Sequence, residues 1–214
     1  MQNSRGVTRV SPVSYELIAD QLEAVLSDVE VRAVKIGMLA TAHTVRTVAE
    51  ALRRYPPPVV VLDPVIRATS GAQLLDDDGV EALRRELLPL VTLVTPNAAE
   101  SGVLLGSAAP RTVADARLAA ERIRALGARN VVVTGGHTDG GDHVIDVLAG
   151  EMGDADLRAP RVSVSRTHGT GCRYSSALAA FVARGAPLND ACAAAQRYVG
   201  DWLAGRTSST APIL

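Results

Sequence analysis

The feature that most constrains the fold is a repeated alternation of short apolar runs with amphipathic helical segments. Residues 59–62 read VVVL without polar alternation, which is typical of a strand buried on both faces. Similar short runs occur over residues 31–36, 91–94 and 130–134. Helices are predicted over residues 14–28, 41–55, 76–88, 98–105, 112–126, 177–184 and 188–204. This order predicts an α/β fold with a mostly parallel central sheet and helices on both faces.

Length and composition predict one domain with a sizeable core. The chain has 214 residues and is 47% hydrophobic, which favours a single domain over residues 1–204. Residues 142–165 alternate and carry turn residues, which predicts a small antiparallel patch. The segment 205–214 is expected to be a loose tail.

Charge and composition exclude several classes of protein. A net charge of -1 and 3% aromatic residues argue against nucleic-acid binding, and no apolar stretch is long enough for a membrane span. The cysteines Cys172 and Cys192 form no spaced framework, which suits a reducing cytoplasm. A small-molecule ligand is therefore expected. Lys35 is the single lysine among 22 Lys and Arg residues, so a site that requires a lysine has one candidate.

A glycine-bracketed turn at residues 168–172, HGTGC, opens directly into an apolar helical run. The first N–H groups of a helix have no intrahelical partner and carry partial positive charge, so this turn predicts a cradle for an anion such as a phosphoryl group. Cys172 falls in the first turn, where the same charge favours the thiolate and lowers the thiol pKa. The alternative is that Cys172 is a small buried side chain.

Polar residues and glycines follow the predicted strands at the point where each strand ends. The segments are Gly37-Met38, Asp63-Pro64, Thr95-Pro96-Asn97 and Thr134-Gly135-Gly136-His137. Ligands of open α/β sheets bind beyond the carboxyl ends of the strands. We therefore expect these segments and the glycine turn to form one site.

Five motifs, in this order, resemble the hydroxymethylpyrimidine kinase / phosphomethylpyrimidine kinase family of thiamine biosynthesis. They are VKIGML at 34–39, LDPV at 62–65 with Ser70-Gly71, TPNAAE at 95–100, TGGH at 134–137 and HGTGC at 168–172. The resemblance covers residues 2 to about 204 and implies a ribokinase-like fold. It also implies ATP and Mg²⁺ as cofactors and phosphoryl transfer to hydroxymethylpyrimidine and then to its monophosphate. A homodimer is expected because dimers are usual in this superfamily.

The resemblance assigns roles at the reacting end of the site. The amides of Gly169, Thr170 and Gly171 would stabilise the phosphoryl oxygens, and Cys172 would accept the proton of the acceptor hydroxyl. Asn97 and Glu100 would hold Mg²⁺, partly through water, since hard oxygen ligands suit this ion. Their alternative role is a capping box, in which an Asn and a Glu three residues later close the start of a helix.

The resemblance also assigns nucleotide-side and acceptor-side residues. The nucleotide-side residues are Asp63, Thr95, Asn97, Thr134, Gly136 and His137. The acceptor-side residues are Gln2, as a hydrogen-bonding amide, and Met38, as a soft apolar wall. Alternatives stay open for three of these: Asp63 as a turn residue before Pro64, His137 as an ordinary loop histidine, and Met38 as plain core packing.

The sequence departs from the family pattern in two respects. The strand, glycine-rich turn and helix that precede the position of Gln2 in the family do not occur, so the first strand of the family is expected to be missing. Threonines stand at Thr69 and Thr134, where the family often has lysines, and the candidates for the lost charge are Arg67, Arg166 and Arg173. A pyridoxine or pyridoxal kinase and a non-catalytic ligand-binding protein on the same fold are the alternative functions. A cysteine hydrolase is disfavoured because only His168 lies near Cys172.

Overall fold

The structure is a computed structural model that describes residues 2–3, 6–7, 9–68, 71–137, 141–151, 153–163 and 169–206. Its main sheet has six strands in the order β3-β4-β5-β6-β7-β8, and a separate short hairpin pairs β1 with β2. The strands are β1 (Gln2–Asn3), β2 (Gly6–Val7), β3 (Val34–Ile36), β4 (Val60–Leu62), β5 (Leu93–Val94), β6 (Asn130–Val133), β7 (His143–Ala149) and β8 (Ala155–Pro160). Strands β3 to β6 are parallel, whereas β7 and β8 pair antiparallel.

Seven α-helices connect and cover these strands in the described ranges. They are α1 (Tyr15–Leu26), α2 (Ala42–Arg54), α3 (Asp77–Ala82), α4 (Ala98–Leu105), α5 (Val113–Arg124), α6 (Thr170–Ala183) and α7 (Leu188–Leu203). None of the helices in these ranges combines the length and apolar character needed to cross a bilayer. The predicted α/β fold is confirmed.

The sheet separates two apolar cores because its side chains alternate between its faces. On one face, Val60 and Leu62 of β4 pack with residues of α2, α4 and α5. On the other face, Val61 packs with Leu178 of α6 and Ala195 of α7. Lys35 is paired in register with Val61, so it lies on the α6 face of the sheet. This alternation determines which polar side chains meet the start of α6.

Two predicted elements differ from the structure. The predicted helix 76–88 is α-helical only over α3 and continues as a π-helical turn, Leu83–Leu87, and a 3-10 turn, Leu88–Leu90. Pro89 lacks the N–H that a continued α-helix needs. The predicted antiparallel patch at 142–165 does form, but it extends the main sheet because β7 pairs with β6. Of the predicted tail, residues 207–214 lie outside the described residues.

Candidate active site

The carboxyl ends of β3 to β6 are held together by backbone hydrogen bonds that continue past the strands. The Asp63 N–H donates to the Ile36 carbonyl at 2.9 Å, and the Thr95 N–H donates to the Leu62 carbonyl at 2.9 Å. The Thr134 N–H donates to the Pro96 carbonyl at 3.0 Å. These bonds fix Asp63, Thr95 and Thr134 side by side at one edge of the sheet, as the sequence predicts.

Asp63 is the centre of the polar contacts at this edge. Its side chain is 7% exposed, and its Oδ2 lies 3.6 Å from the Lys35 Nζ. The Ser175 hydroxyl of α6 donates to the same oxygen at 3.1 Å. A buried carboxylate requires such partners, because removing an unpaired charge from water is costly. The Lys35 and Ser175 contacts therefore connect the strand ends to α6.

Helix α6 begins beside this cluster with an open, glycine-lined turn. Gly169 adopts φ +81°, a left-handed conformation that favours glycine. Thr170 is the first helical residue, and the Arg173 N–H donates to the Gly169 carbonyl at 3.0 Å. Among the described residues, and apart from the adjoining chain of each glycine, no atom lies within 4 Å of the position that a Cβ at Gly169 or Gly171 would occupy. A ligand group can therefore approach the backbone at this turn.

Cys172 is exposed in the first turn of α6, so the alternative of a buried structural cysteine is wrong. Partial burial raises the pKa of its thiol, and the negative charge of Asp63 raises it further. The ammonium group of Lys35 acts in the opposite direction but does not reverse the shift. The expected lowering of the Cys172 pKa is wrong, because the sequence does not show that Asp63 lies next to this helix end.

Asn97 and Glu100 form the capping box of α4. The Glu100 N–H donates to the Asn97 Oδ1, and the Asn97 N–H donates to the Glu100 Oε2, both at 2.9 Å. Glu100 is buried, and burial raises the pKa of its carboxyl group to about 8, with a further contribution from the charge of Asp63. The capping alternative is thus confirmed, and Glu100 remains a buried acid close to a second carboxylate.

These acids are chemically suited to a hard cation. No group of three or more His, Cys, Asp and Glu side chains that would cage a metal occurs within the described ranges. Mg²⁺ commonly takes only one or two protein carboxylates, with the remaining ligands from phosphates and water. Burial is the main cause of the raised pKa of Glu100, and the charge of Asp63 adds to it. A bound cation would relieve this repulsion between the two acids. Asp63 and Glu100 therefore fit Mg²⁺.

The loop after β6 lies against the neighbouring strand. Thr134 forms a parallel bridge with Asn97, which places this loop beside the capping box. The Gly136 carbonyl accepts a hydrogen bond from the Arg161 guanidinium at 3.0 Å, and Gly136 itself is exposed. The loop therefore has an ordered backbone that faces the same edge as the glycine turn of α6.

Comparisons with known proteins identify the family. The phosphomethylpyrimidine kinase family model matches residues 1–211. The chain is 45% identical to the hydroxymethylpyrimidine/phosphomethylpyrimidine kinase of Rhizobium meliloti over 92% of its own length and 74% of that protein. The chain belongs to the phosphomethylpyrimidine kinase family. It is also 43% identical to a bifunctional thiamine biosynthesis protein of Geobacter sulfurreducens, over 92% of this chain but only 40% of that longer protein.

Solved structures of this family and of pyridoxal kinases share the fold. The phosphomethylpyrimidine kinase of Clostridium difficile superposes with a TM-score of 0.80 at 32% identity, over 94% of this chain and 82% of that one. The pyridoxal kinase of Staphylococcus aureus in complex with AMP-PCP and pyridoxal gives 0.84 at 28% identity, over 100% and 76% of the chains. The predicted membership of the phosphomethylpyrimidine kinase family and the ribokinase-like fold are confirmed.

The structure describes some of the other residues that the family resemblance assigns to the site and leaves others outside the described residues. Met38 is 46% exposed, so the alternative of core packing is wrong and the side chain is available to a ligand. Gln2 lies in β1, paired with Val7, but its side chain lies outside the described residues. The side chain of His137 also lies outside them, as do Thr69, Ser70, Arg166 and His168.

Of the three arginines expected to supply the charge of the missing lysines, Arg67 and Arg173 lie within the described residues. The Arg173 guanidinium stacks on the Trp202 ring at 4.1 Å, towards α7, and Arg67 is exposed in a short bridge with Gln73. Lys35 instead contacts Asp63. The sequence offers Lys35 as the single lysine candidate, but its position inside a strand gives it no predicted place in the site, and Ser175 was not predicted. The signal for Lys35 was its place two residues before the Gly37-Met38 strand end and its status as the single lysine.

Proposed function

We propose that this chain transfers the γ-phosphoryl group of ATP to the hydroxymethyl group of hydroxymethylpyrimidine and then to the phosphate of the resulting monophosphate. The observation that carries the proposal is the convergence of the open α6 turn with Lys35 and Asp63 at the strand ends. This arrangement combines backbone donors, a cation and carboxylates around one small region. Phosphoryl transfer requires positioning and charge stabilisation more than covalent chemistry.

The proposed role of each residue in phosphoryl transfer follows from its chemistry. The amides of Gly169, Thr170 and Gly171 donate to the oxygens of the transferring group, with support from the positive end of α6. Thr95, Thr134, Gly136 and His137 border the nucleotide, while Gln2 and Met38 border the acceptor. Asn97 and Glu100 would hold Mg²⁺, partly through water, with Asp63 beside them, and the ion would neutralise charge on the phosphates.

Cys172 acts as a thiol rather than as a preformed thiolate, because its pKa is raised. Its sulfur accepts the proton of the attacking hydroxyl as the thiol proton passes to an oxygen of the transferred phosphoryl group. Proton transfer is late in a loose transition state, so a strong base is not required. This role differs from the thiolate that the sequence predicts and removes the need for a lowered pKa.

The test is turnover of hydroxymethylpyrimidine with ATP and Mg²⁺, with the mono- and diphosphate products identified by mass spectrometry. We expect both products from the wild-type chain. We expect Cys172→Ala to lower kcat by about 10²-fold or more, the range of general acid–base catalysis, with the ATP Kd within about threefold. An inactive wild-type chain that binds neither ATP nor hydroxymethylpyrimidine contradicts the proposal, and unchanged turnover in Cys172→Ala removes the proton-transfer role.

A pyridoxal kinase is the second candidate function. It is favoured by the similarity to the pyridoxal kinase of Staphylococcus aureus, TM-score 0.84. Comparing kcat/KM for hydroxymethylpyrimidine and pyridoxal on one preparation separates the two. We further propose a homodimer in the cytoplasm, for which sedimentation equilibrium gives the mass; a monomer across the micromolar range contradicts the dimer.

A further inference from the structure

Asp146 is a buried acid that none of the proposed roles uses. It lies within β7, is 3% exposed, and accepts a hydrogen bond from the Gly135 N–H on its Oδ1 at 2.7 Å. Gly135 belongs to the loop after β6 that borders the proposed nucleotide position. A short hydrogen bond therefore joins this loop to the interior of the sheet.

The loop lies so close to β7 at Gly135 that only glycine fits there. A Cβ at Gly135 would lie 1.8 Å from the Ile145 carbonyl oxygen. Gly135 therefore lies directly on β7, with its N–H aimed at Asp146. The Gly136 carbonyl, one residue further, is held by Arg161 at 3.0 Å. The loop backbone is thus fixed from both sides, and Asp146 provides the buried contact.

The surroundings of Asp146 contain no compensating cation within the part of the chain that the structure describes. The groups that act on its carboxylate from the packed elements are the Gln196 amide and Cys192 of α7 and Tyr174 of α6. Gln196 also donates to the Leu157 carbonyl of β8 at 3.0 Å. The Tyr174 hydroxyl is buried with no hydrogen-bond partner in the described ranges. Burying a carboxylate without a neighbouring cation lowers the stability of the folded chain. An aspartate at this position therefore suggests a role for its charge.

We propose that Asp146 is a positioning residue that orients the Gly135-Gly136 backbone for the nucleotide phosphates. A carboxylate accepts an N–H bond about twice as strongly as a neutral group, which offsets the tendency of a glycine loop to move. Through Tyr174, which follows Cys172 by two residues on α6, the same buried cluster also contacts the helix that carries the phosphate turn. The inference rests on the proposed function, since it takes the loop to be a nucleotide-binding element.

Burial raises the pKa of Asp146 to about 6. Burial also keeps the neighbouring Tyr174 and Cys192 protonated, with their pKa values raised. Asp146 is therefore the group of this cluster that titrates near neutral pH. Protonation weakens its bond to Gly135, so the contribution of Asp146 to nucleotide affinity is expected to disappear below about pH 6.

The experiment compares the wild-type chain with Asp146→Asn and with the control Asp156→Asn. Asp156 lies on β8, where its carboxylate pairs with Arg117 at the surface. Titration calorimetry with ATP and Mg²⁺ at pH 7.5 should show about tenfold weaker binding for Asp146→Asn alone, with hydroxymethylpyrimidine affinity within twofold. The difference between Asp146→Asn and wild type should narrow at pH 5.5. Equal ATP affinity of the two proteins at both pH values overturns the inference.

Hydrogen exchange of the segment 131–137, measured without ligand, tests the role of Asp146 independently of the proposed function. Asp146→Asn should exchange this segment at least tenfold faster than wild type and than Asp156→Asn. A wild-type chain that does not bind ATP contradicts the proposed function, and the exchange rates then decide whether Asp146 holds the loop. Unchanged exchange in Asp146→Asn overturns the inference whatever the ATP result.

Discussion

At the scale of single residues, the Lys35 side chain has two proposed roles, one towards Asp63 and one towards the phosphoryl group. Its ammonium group lies 3.6 Å from Asp63, and a Cβ at Gly37 would lie 2.9 Å from the same nitrogen. The lysine thus extends under the strand end towards the α6 turn. In that position it pairs with Asp63, and in the proposed reaction it also supplies positive charge near the transferring phosphoryl group. Two substitutions separate these uses.

Lys35→Met is expected to lower kcat by about 10²-fold or more, as the loss of a preorganised charge donor does in other enzymes. It also leaves the buried Asp63 unpaired, which should lower the free energy of unfolding by up to about 3 kcal/mol. The double variant Lys35→Met/Asp63→Asn removes the unpaired charge and should recover most of the stability, but not the turnover. Urea unfolding and steady-state kinetics measure both. If turnover recovers together with stability, Lys35 serves only Asp63.

The raised pKa of Asp146 leads to a second prediction, which concerns how the free energy of unfolding depends on pH. Its ordinary pKa is 3.8 and its folded-state pKa about 6, so between these values the folded chain binds a proton that the unfolded chain has released. The contribution of Asp146 to the free energy of unfolding therefore falls as pH rises from about 4 to about 6, by at most about 3 kcal/mol. Above pH 6 it stays constant.

Urea unfolding of wild type and Asp146→Asn between pH 4 and pH 7.5 measures this effect. The other carboxyl groups are common to the two proteins, so their contributions cancel in the difference. We expect wild type to lose stability relative to Asp146→Asn up to about pH 6 and no further above it. A difference that does not vary with pH shows that Asp146 has an ordinary pKa.

At the scale of elements, α4 and α5 offer a matched pair of helix starts. Both begin with a capping box, formed by Asn97 and Glu100 in α4 and by Thr112 and Asp115 in α5. Only the box of α4 lies at the proposed site. The two boxes therefore separate the stability of a helix start from a role in the reaction.

Asn97→Ala and Thr112→Ala should each lower the free energy of unfolding by about 1 kcal/mol, the usual effect of losing a cap. Asn97→Ala alone should also raise the KM for ATP with Mg²⁺ by about tenfold or more, because Asn97 is a proposed oxygen ligand of Mg²⁺ beside Glu100. Thermal melts and ATP kinetics on the two variants check this. Equal kinetics in both variants would leave Asn97 with a capping role only.

The loop after β6 makes a second prediction at the scale of elements. Gly135→Ala forces a methyl group onto the Ile145 carbonyl, whereas no described residue other than its chain neighbours comes within 4 Å of the same position at Gly136. We expect Gly135→Ala to destabilise the chain by several kcal/mol or to prevent its folding. Gly136→Ala should change the free energy of unfolding by less than about 1 kcal/mol. Denaturant unfolding measures both, and similar values for the two variants contradict the close contact between the loop and β7.

At the scale of the whole molecule, the sequence predicts the fold well where local pattern decides. Apolar runs such as 59–62 and 130–134 predict buried parallel strands, and Gly106 ends α4 where expected. The pairing of β7 with β6 was not predicted, because the choice of a strand's neighbour depends on contacts distant in sequence. The π-helical turn after α3 has no local signal that periodicity detects.

The location of the site could be predicted from the sequence, but the contacts between its charged groups could not. Polar residues after each strand predict the common edge, which the structure confirms for Asp63, Asn97 and Thr134. Partial burial raises the pKa of Cys172, and the charge of Asp63 raises it further. Both arise only when α6 packs on the sheet, so the local helix-end argument gives the wrong sign. Lys35 is overlooked for the same reason, since its side chain reaches the site from inside a strand.

The most direct measurement is a crystal structure of the chain with AMP-PCP, Mg²⁺ and hydroxymethylpyrimidine bound. We expect the γ-phosphate to lie against the amides of Gly169 to Cys172, with Lys35 and Asp63 on the opposite side and the acceptor hydroxyl facing Cys172. A γ-phosphate bound away from the α6 turn, or an acceptor on the other side of the sheet edge, would contradict this expectation.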